Sequence, residues 1–191
     1  NYRQYLRASK PFKRKLIMAL KKKHIAPYFP WEVQFKEGEQ EPKVISALYD
    51  NSLACPTDFS PRRFDRVKLI LRPLSDLAKD IEQNGERFVP MGELLKITLQ
   101  KTFNYLENFE VKYVGENSNC YGISARCYEK DEAGFSFSED NSFDFTLNSA
   151  RLNINQLELY TKLFEWKFDI FNLIEKGEAI DVNALKVNPY K

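Results

Sequence analysis

The stretch Asn155-Gln-Leu-Glu-Leu-Tyr-Thr-Lys-Leu-Phe-Glu-Trp-Lys-Phe-Asp-Ile-Phe-Asn-Leu-Ile-Glu-Lys176 repeats apolar residues at helical spacing. Leu157, Tyr160, Phe164, Phe168, Phe171 and Ile174 fall on one stripe, and Leu163, Trp166, Ile170 and Leu173 on another, so apolar side chains nearly encircle the axis. The pattern predicts a long central helix over 155–176, touched on two sides and stopped by Gly177.

Upstream, Phe135, Phe137, Phe143 and Phe145 alternate with polar residues, as strands with one buried face do. Residues 109–114 and 120–128 alternate as well and flank an Asn- and Gly-rich turn, the clearest hairpin in the chain. Residues 91–106 read as a helix. Asn84-Gly85 marks a turn into a brief strand at 87–89, and Ser75 is expected to cap a short helix running to Ile81. Residues 63–71 read as a strand, 51–61 as a Pro-containing loop, and 31–35 with 44–49 as a hairpin. At the N-terminus, Phe12, Leu16, Ile17 and Leu20 recur at helical spacing within 9–23, with Ser9 as cap and Pro11 in the first turn. The expected fold is therefore α+β: antiparallel strands packed on a long, aromatic-rich C-terminal helix, with a basic N-terminal helix. Residues 1–24 form an amphipathic arm and 25–191 a single globular domain.

Composition fits that reading. Of 191 residues, 43% are hydrophobic and 29% charged, which separates the chain from disordered sequences. Fifteen Phe and ten Tyr against two Met predict an aromatic core. No window approaches the roughly 18 consecutive apolar residues a membrane helix needs, so no membrane partner is expected. Cys55, Cys120 and Cys127 are too few and too irregular for a disulfide framework and read as reduced thiols. With the sole histidine, His24, they also lack the paired spacing of a zinc site, and no cofactor is expected.

The net charge of +2 conceals a segregation. Residues 1–24 hold Arg3, Arg7, Lys10, Lys13, Arg14, Lys15, Lys21, Lys22 and Lys23 and no acid. Residues 129–144 hold six acids against Lys130. The basic arm is the candidate binding element, because clustered cations attract an acidic protein surface or a phosphate backbone. Tyr2, Tyr5 and Phe12 interleave with the cations and could stack on bases, which makes DNA or RNA the alternative partner.

Two further stretches stand out: Lys68-Leu-Ile-Leu-Arg-Pro-Leu-Ser-Asp-Leu77, and Leu163-Phe-Glu-Trp-Lys-Phe-Asp-Ile-Phe-Asn-Leu-Ile-Glu-Lys-Gly-Glu-Ala-Ile-Asp181, with Gly85-Glu-Arg-Phe-Val-Pro90 between them. With these segments the chain resembles a group of small uncharacterised proteins encoded by phages and prophages of gut bacteria. The resemblance implies a phage setting, in the host cytoplasm or the virion, and carries over no functional residue. Glu178 departs from that pattern, where a small apolar residue is common, and the basic arm lies outside it.

Catalytic readings find little support in the residue pattern. Nucleophilic catalysis of the Ser-His-Asp or Cys-His kind requires an imidazole, and His24 ends a Lys-rich segment. Phosphate-binding glycine loops are absent from the sequence. A metal-dependent nuclease could draw on Asp140, Asp144 and Glu158 with Lys162, but their spacing gives no support. Arg72 and Asp76 could hold a ligand, although Ser75 and Asp76 after Pro73 also suit a helix start. Trp31 and Trp166 read as core and strand anchors, with ligand stacking the minor alternative. The function expected is that of a non-enzymatic accessory or interaction protein, virion-associated or host-directed, which binds a protein partner through a charge-polarised surface.

Overall fold

A computed structural model describes residues 20–103, 109–117, 120–127, 131–138 and 140–191. In chain order these form helix α1 (Lys22–Ile25) and strands β1 (Gln34–Lys36), β2 (Lys43–Val44), β3 (Ala47–Leu48), β4 (Ser52–Cys55), β5 (Asp58–Arg63) and β6 (Lys68–Leu71). The hairpin β7 (Ile81–Gln83) and β8 (Glu86–Phe88) leads into helix α2 (Pro90–Phe103). Strands β9 (Phe109–Asn117), β10 (Cys120–Cys127), β11 (Asp131–Ser138), β12 (Phe143–Leu147) and β13 (Ala150–Leu152) follow. Helix α3 (Gln156–Glu165) and strand β14 (Ala179–Asp181) come last.

The largest sheet is an antiparallel meander, β13-β12-β11-β10-β9. Strict alternation sends Ile123, Ala125, Ala133, Phe135, Phe137, Phe143 and Phe145 to one buried face. The Phe137 and Phe143 ring centroids lie 4.7 Å apart, and register pairs Phe135 with Phe145 and Phe137 with Phe143. Met91, Leu94, Leu95 and Leu99 of α2 and Leu159 and Leu163 of α3 complete this core.

A second sheet has the order β14-β6-β1-β2, in which β14 runs parallel to β6 and the other pairs are antiparallel. Leu69, Ile70 and Leu71 of β6 are fully buried on both faces, as a central strand should be. Leu69 and Leu71 join a core with Leu20, Ile25, Tyr28, Phe35 and Leu173, while Ile70 faces Val182 and Tyr190. The order β3-β4-β5 forms a smaller sheet, and β7 and β8 are joined through Asn84 and Gly85 at φ 53° and 81°. That left-handed pair is the Asn-Gly hairpin turn expected from sequence.

The α+β expectation is thereby corrected: the described chain is mostly β, and its helices are short. The long helix over 155–176 does not form. Helix α3 stops at Glu165, because Lys167 adopts φ 61° and the Phe168 N–H bonds back to the Leu163 carbonyl at 2.9 Å. The Asp169 carboxylate then accepts the N–H groups of Leu173 and Ile174 at 2.8 and 2.7 Å, holding a run of turns. Apolar residues encircle the stretch because it threads irregularly between two cores and touches a different neighbour on each side. The expected 51–61 loop is also corrected. It contains β4 and β5, with the turn confined to Pro56 and Thr57, and Pro61 is tolerated because β5 is an edge strand.

The helix expected over 9–23 lies outside the described residues up to Ala19, and so do Arg3, Arg7, Lys10, Lys13, Arg14 and Lys15. Within them Leu20 and Lys21 are not helical, and a single helical turn runs from Lys22 to Ile25. No helix among the described residues is long and apolar enough to cross a membrane.

Candidate functional site

The stretches 68–77 and 163–181 meet in space. Strand β6 delivers Arg72 beside the chain that leaves α3: the Arg72 N–H donates to the Lys167 carbonyl at 2.8 Å, and the Asp169 N–H donates to the Arg72 carbonyl at 2.9 Å. Arg72 and Phe168 thus form a parallel bridge alongside the parallel β6–β14 pairing. The Tyr28 hydroxyl, fully buried, donates to the Phe168 carbonyl at 2.6 Å and accepts the Ile170 N–H at 3.3 Å.

Two cations are buried at this junction. The Arg72 side chain is 2% exposed and Lys167 6%. Arg72 Nη2 donates to the Glu82 carbonyl at 2.7 Å and to Gln83 Oε1 at 3.2 Å, while its Nε is buried with no partner. Both cations address the Tyr190 ring, the guanidinium at 6.0 Å and the ammonium at 5.1 Å from its centroid. That ring is fixed by its hydroxyl, which donates to the Ile70 carbonyl at 2.8 Å and accepts the Gln34 N–H at 3.1 Å. Neither cation makes an ion pair among the described residues. Burial, with Arg72 nearby, pushes the Lys167 ammonium down to about 8. Burial likewise lowers Arg72, although a guanidinium stays charged at any physiological pH, and it raises the Tyr190 phenol.

Beside Arg72 opens a cleft of about 480 Å³. Pro73 ends the extended run, and the 3₁₀ turn Leu74–Ala78 buries Asp76, whose carboxylate accepts from Lys79 at 3.1 Å and from the Asn183 amide at 2.7 Å. No side chain caps this turn, so the helix-start reading of Ser75 and Asp76 is corrected: Asp76 is a buried acceptor within the cleft wall. Asn183 is positioned in turn by the Asp181 carboxylate, which accepts its N–H at 2.8 Å. Opposite, Glu82 pairs with Lys191 at 3.2 Å and Arg87 at 3.8 Å.

Other candidate residues fall elsewhere. His24 packs on Phe171 at 5.6 Å and accepts the Lys21 N–H at Nδ1, and burial together with Lys23, Lys176 and Lys21 lowers its pKa. It is a neutral structural imidazole at neutral pH. Lys21, Lys22 and Lys23 are exposed, and Lys22 reaches Asp50 at 3.2 Å. The nuclease set is dispersed: Asp140 accepts from Ser138 and Ser142 in its own turn, Asp144 pairs with Arg151, Glu158 with Lys101, and Lys162 with Glu165. Among the described residues no group of three His, Cys, Asp or Glu is arranged to hold a metal. Cys55 is buried and Cys120 half-buried, both as free thiols. Trp166 is buried against Phe88 at 5.0 Å, whereas Trp31 is only half-buried in the 3₁₀ turn Phe29–Trp31.

Sequence reasoning named Arg72 and Asp76 but missed Lys167, Asn183 and Tyr190. The available signal was the pairing of two distinctive motifs, whose residues had to meet somewhere. Compared with known proteins, the chain matches no family model, no curated protein and no solved structure.

Proposed function

We propose that the chain is a non-enzymatic phage accessory or interaction protein that binds an acidic protein partner, of the virion or of the host cell, through its basic N-terminal segment. The observation that carries this reading is the concentration of nine cations and no acid in residues 1–24, on a segment rooted in the body of the protein. Its last apolar residue, Leu20, is 2% exposed within the core that holds Tyr28 and Phe35, and the Leu20 N–H donates to the buried Glu178 carboxylate. Lys21 and Lys23 are exposed at that root, and with Lys176 they act on His24, so positive charge extends onto the folded body. The phage setting rests on the resemblance of the Arg72 and Lys167 motifs.

The test is affinity capture with the full chain from phage particles and from host extract. It is repeated with Lys13, Arg14, Lys15, Lys21, Lys22 and Lys23 changed to Ala. A partner that is retained by the native chain, released by salt and lost with the variant supports the proposal. Recovery of no such partner from either source overturns it, and salt-dependent mobility shifts of DNA or RNA by the native chain would move the assignment to nucleic acid.

A further inference from the structure

We propose that the cleft floored by Arg72 is a binding site for the carboxylate group of a polar ligand. A guanidinium and an ammonium buried against one tyrosine ring without an ion pair among the described residues are unfavourable unless an anion or a dense set of acceptors offsets them. The acceptors are incomplete. Both bonds of the guanidinium leave from Nη2 and Nη1 makes no hydrogen bond among the described residues, which leaves Nη1 for the ligand; Nε, also without a partner, is sealed from the cleft.

The lining decides the charge of the ligand. Four lining cations face three carboxylates: Lys79 pairs with Asp76, Arg87 and Lys191 share Glu82, and Arg72 has no carboxylate in contact, Asp76 acting on it only at longer range. A single negative charge answers that surplus. A phosphate dianion would face Asp76, Asp80 and Glu82 at close range and gain less. Asn183 and Asn188 add amide groups to the wall, so the ligand body is polar. A cleft of about 480 Å³ admits the end of a peptide or a small hydroxy or amino acid. These are two sources of one chemistry. Lys167, which faces the same Tyr190 ring as Arg72, reinforces the positive potential.

The test follows the Arg72 Nε–H resonance by NMR while the full chain is titrated, at constant ionic strength, with acetate, with N-acetyl-diglycine bearing a free carboxylate, and with the C-terminal amide of that peptide. Saturable shifts with the carboxylates and none with the amide are expected. Tighter binding of the peptide than of acetate points to a chain end, and equal binding to a small acid. Arg72→Gln is expected to weaken the binding by at least about tenfold. If that variant does not fold, Arg87→Glu, at a side chain 78% exposed, must weaken it severalfold. No saturable shift, equal response to the amide, or undiminished affinity in the folded variants overturns the proposal. Loss of this site leaves the partner capture by the basic segment unaffected, so the two readings fail separately.

Discussion

The main-chain N–H of Leu20 donates to the carboxylate of Glu178 at 3.0 Å in a buried setting, joining positions 158 residues apart. Leu20 roots the basic segment and Glu178 directly precedes β14, so the contact ties the foot of that segment to the start of the strand. The Glu178 carboxylate, on a residue 7% exposed, satisfies a backbone donor that has no other acceptor among the described residues.

Glu178→Ala leaves that donor unpaired and is expected to lower stability by about 1–3 kcal/mol. It should also speed tryptic cleavage at Lys21, Lys22 and Lys23. Glu178→Gln keeps an acceptor oxygen and should restore most of both. Urea unfolding and timed proteolysis check this, and equal behaviour of Ala, Gln and native chains would refute the anchoring role.

Lys167 makes stability depend on alkaline pH. Its folded value, about 8, lies below its ordinary value of 10.5, so the charged form is disfavoured in the folded state. Below about pH 8 both states are protonated and the penalty is fully present. Between about 8 and 10.5 the folded state releases the proton while the unfolded state retains it, so stability rises with pH. The rise should approach roughly 3 kcal/mol. Lys167→Met preserves the left-handed backbone demand of a side chain at φ 61° and removes the titration. Its urea midpoint should exceed the native one at pH 7 and lose that alkaline increment.

Tyr28→Phe removes a donor to the Phe168 carbonyl and one of two acceptors of the Ile170 N–H, which also donates to the Phe168 carbonyl at 3.0 Å. A loss of about 0.5–1.5 kcal/mol is expected, with faster amide exchange at Ile170. A change below about 0.5 kcal/mol would mean that the ring alone matters.

On the open face of the meander, a Cβ placed on Gly134 would lie 2.7 Å from Thr146 Oγ1, its cross-strand neighbour. Gly134→Ala must turn the Thr146 side chain and should destabilise by about 1 kcal/mol. In a Thr146→Ala background the same change meets no hydroxyl, and the smaller entropy loss of Ala makes it neutral or stabilising. A double-mutant cycle measures this reversal of sign.

The legible parts of the fold are those whose pattern is answered by a single neighbouring layer. Phe135, Phe137, Phe143 and Phe145 alternate because one face of the meander meets α2 and α3, and period two survives in the sequence. In 155–176 the periodicity misled. Phe164 and Phe171 stack at 6.1 Å and approach Tyr28 edge-on, Trp166 turns to Phe88, and Phe168 bridges to Arg72. Apolar residues that serve two cores through irregular backbone mimic a helix buried all round. The stop at Lys167 is carried by a left-handed lysine, for which no local sequence signal exists. At the site, Arg72 and Asp76 were visible as an odd polar pair in an apolar run. Lys167, Asn183 and Tyr190 reach them from about a hundred residues away, and that distance is beyond any local pattern.

The parallel strand β14 also sets a schedule. Ala179 pairs with Leu69, 110 positions earlier, so the central strand β6 waits for most of the polypeptide to be synthesised before one of its edges is covered. Until then, Leu69, Ile70 and Leu71 offer a growing chain an apolar, unpaired edge on the ribosome, of the kind that chaperones hold and that neighbouring nascent chains can invade. Closure of this sheet is therefore a late event, and a fragment carrying only the first half of the chain should aggregate during expression.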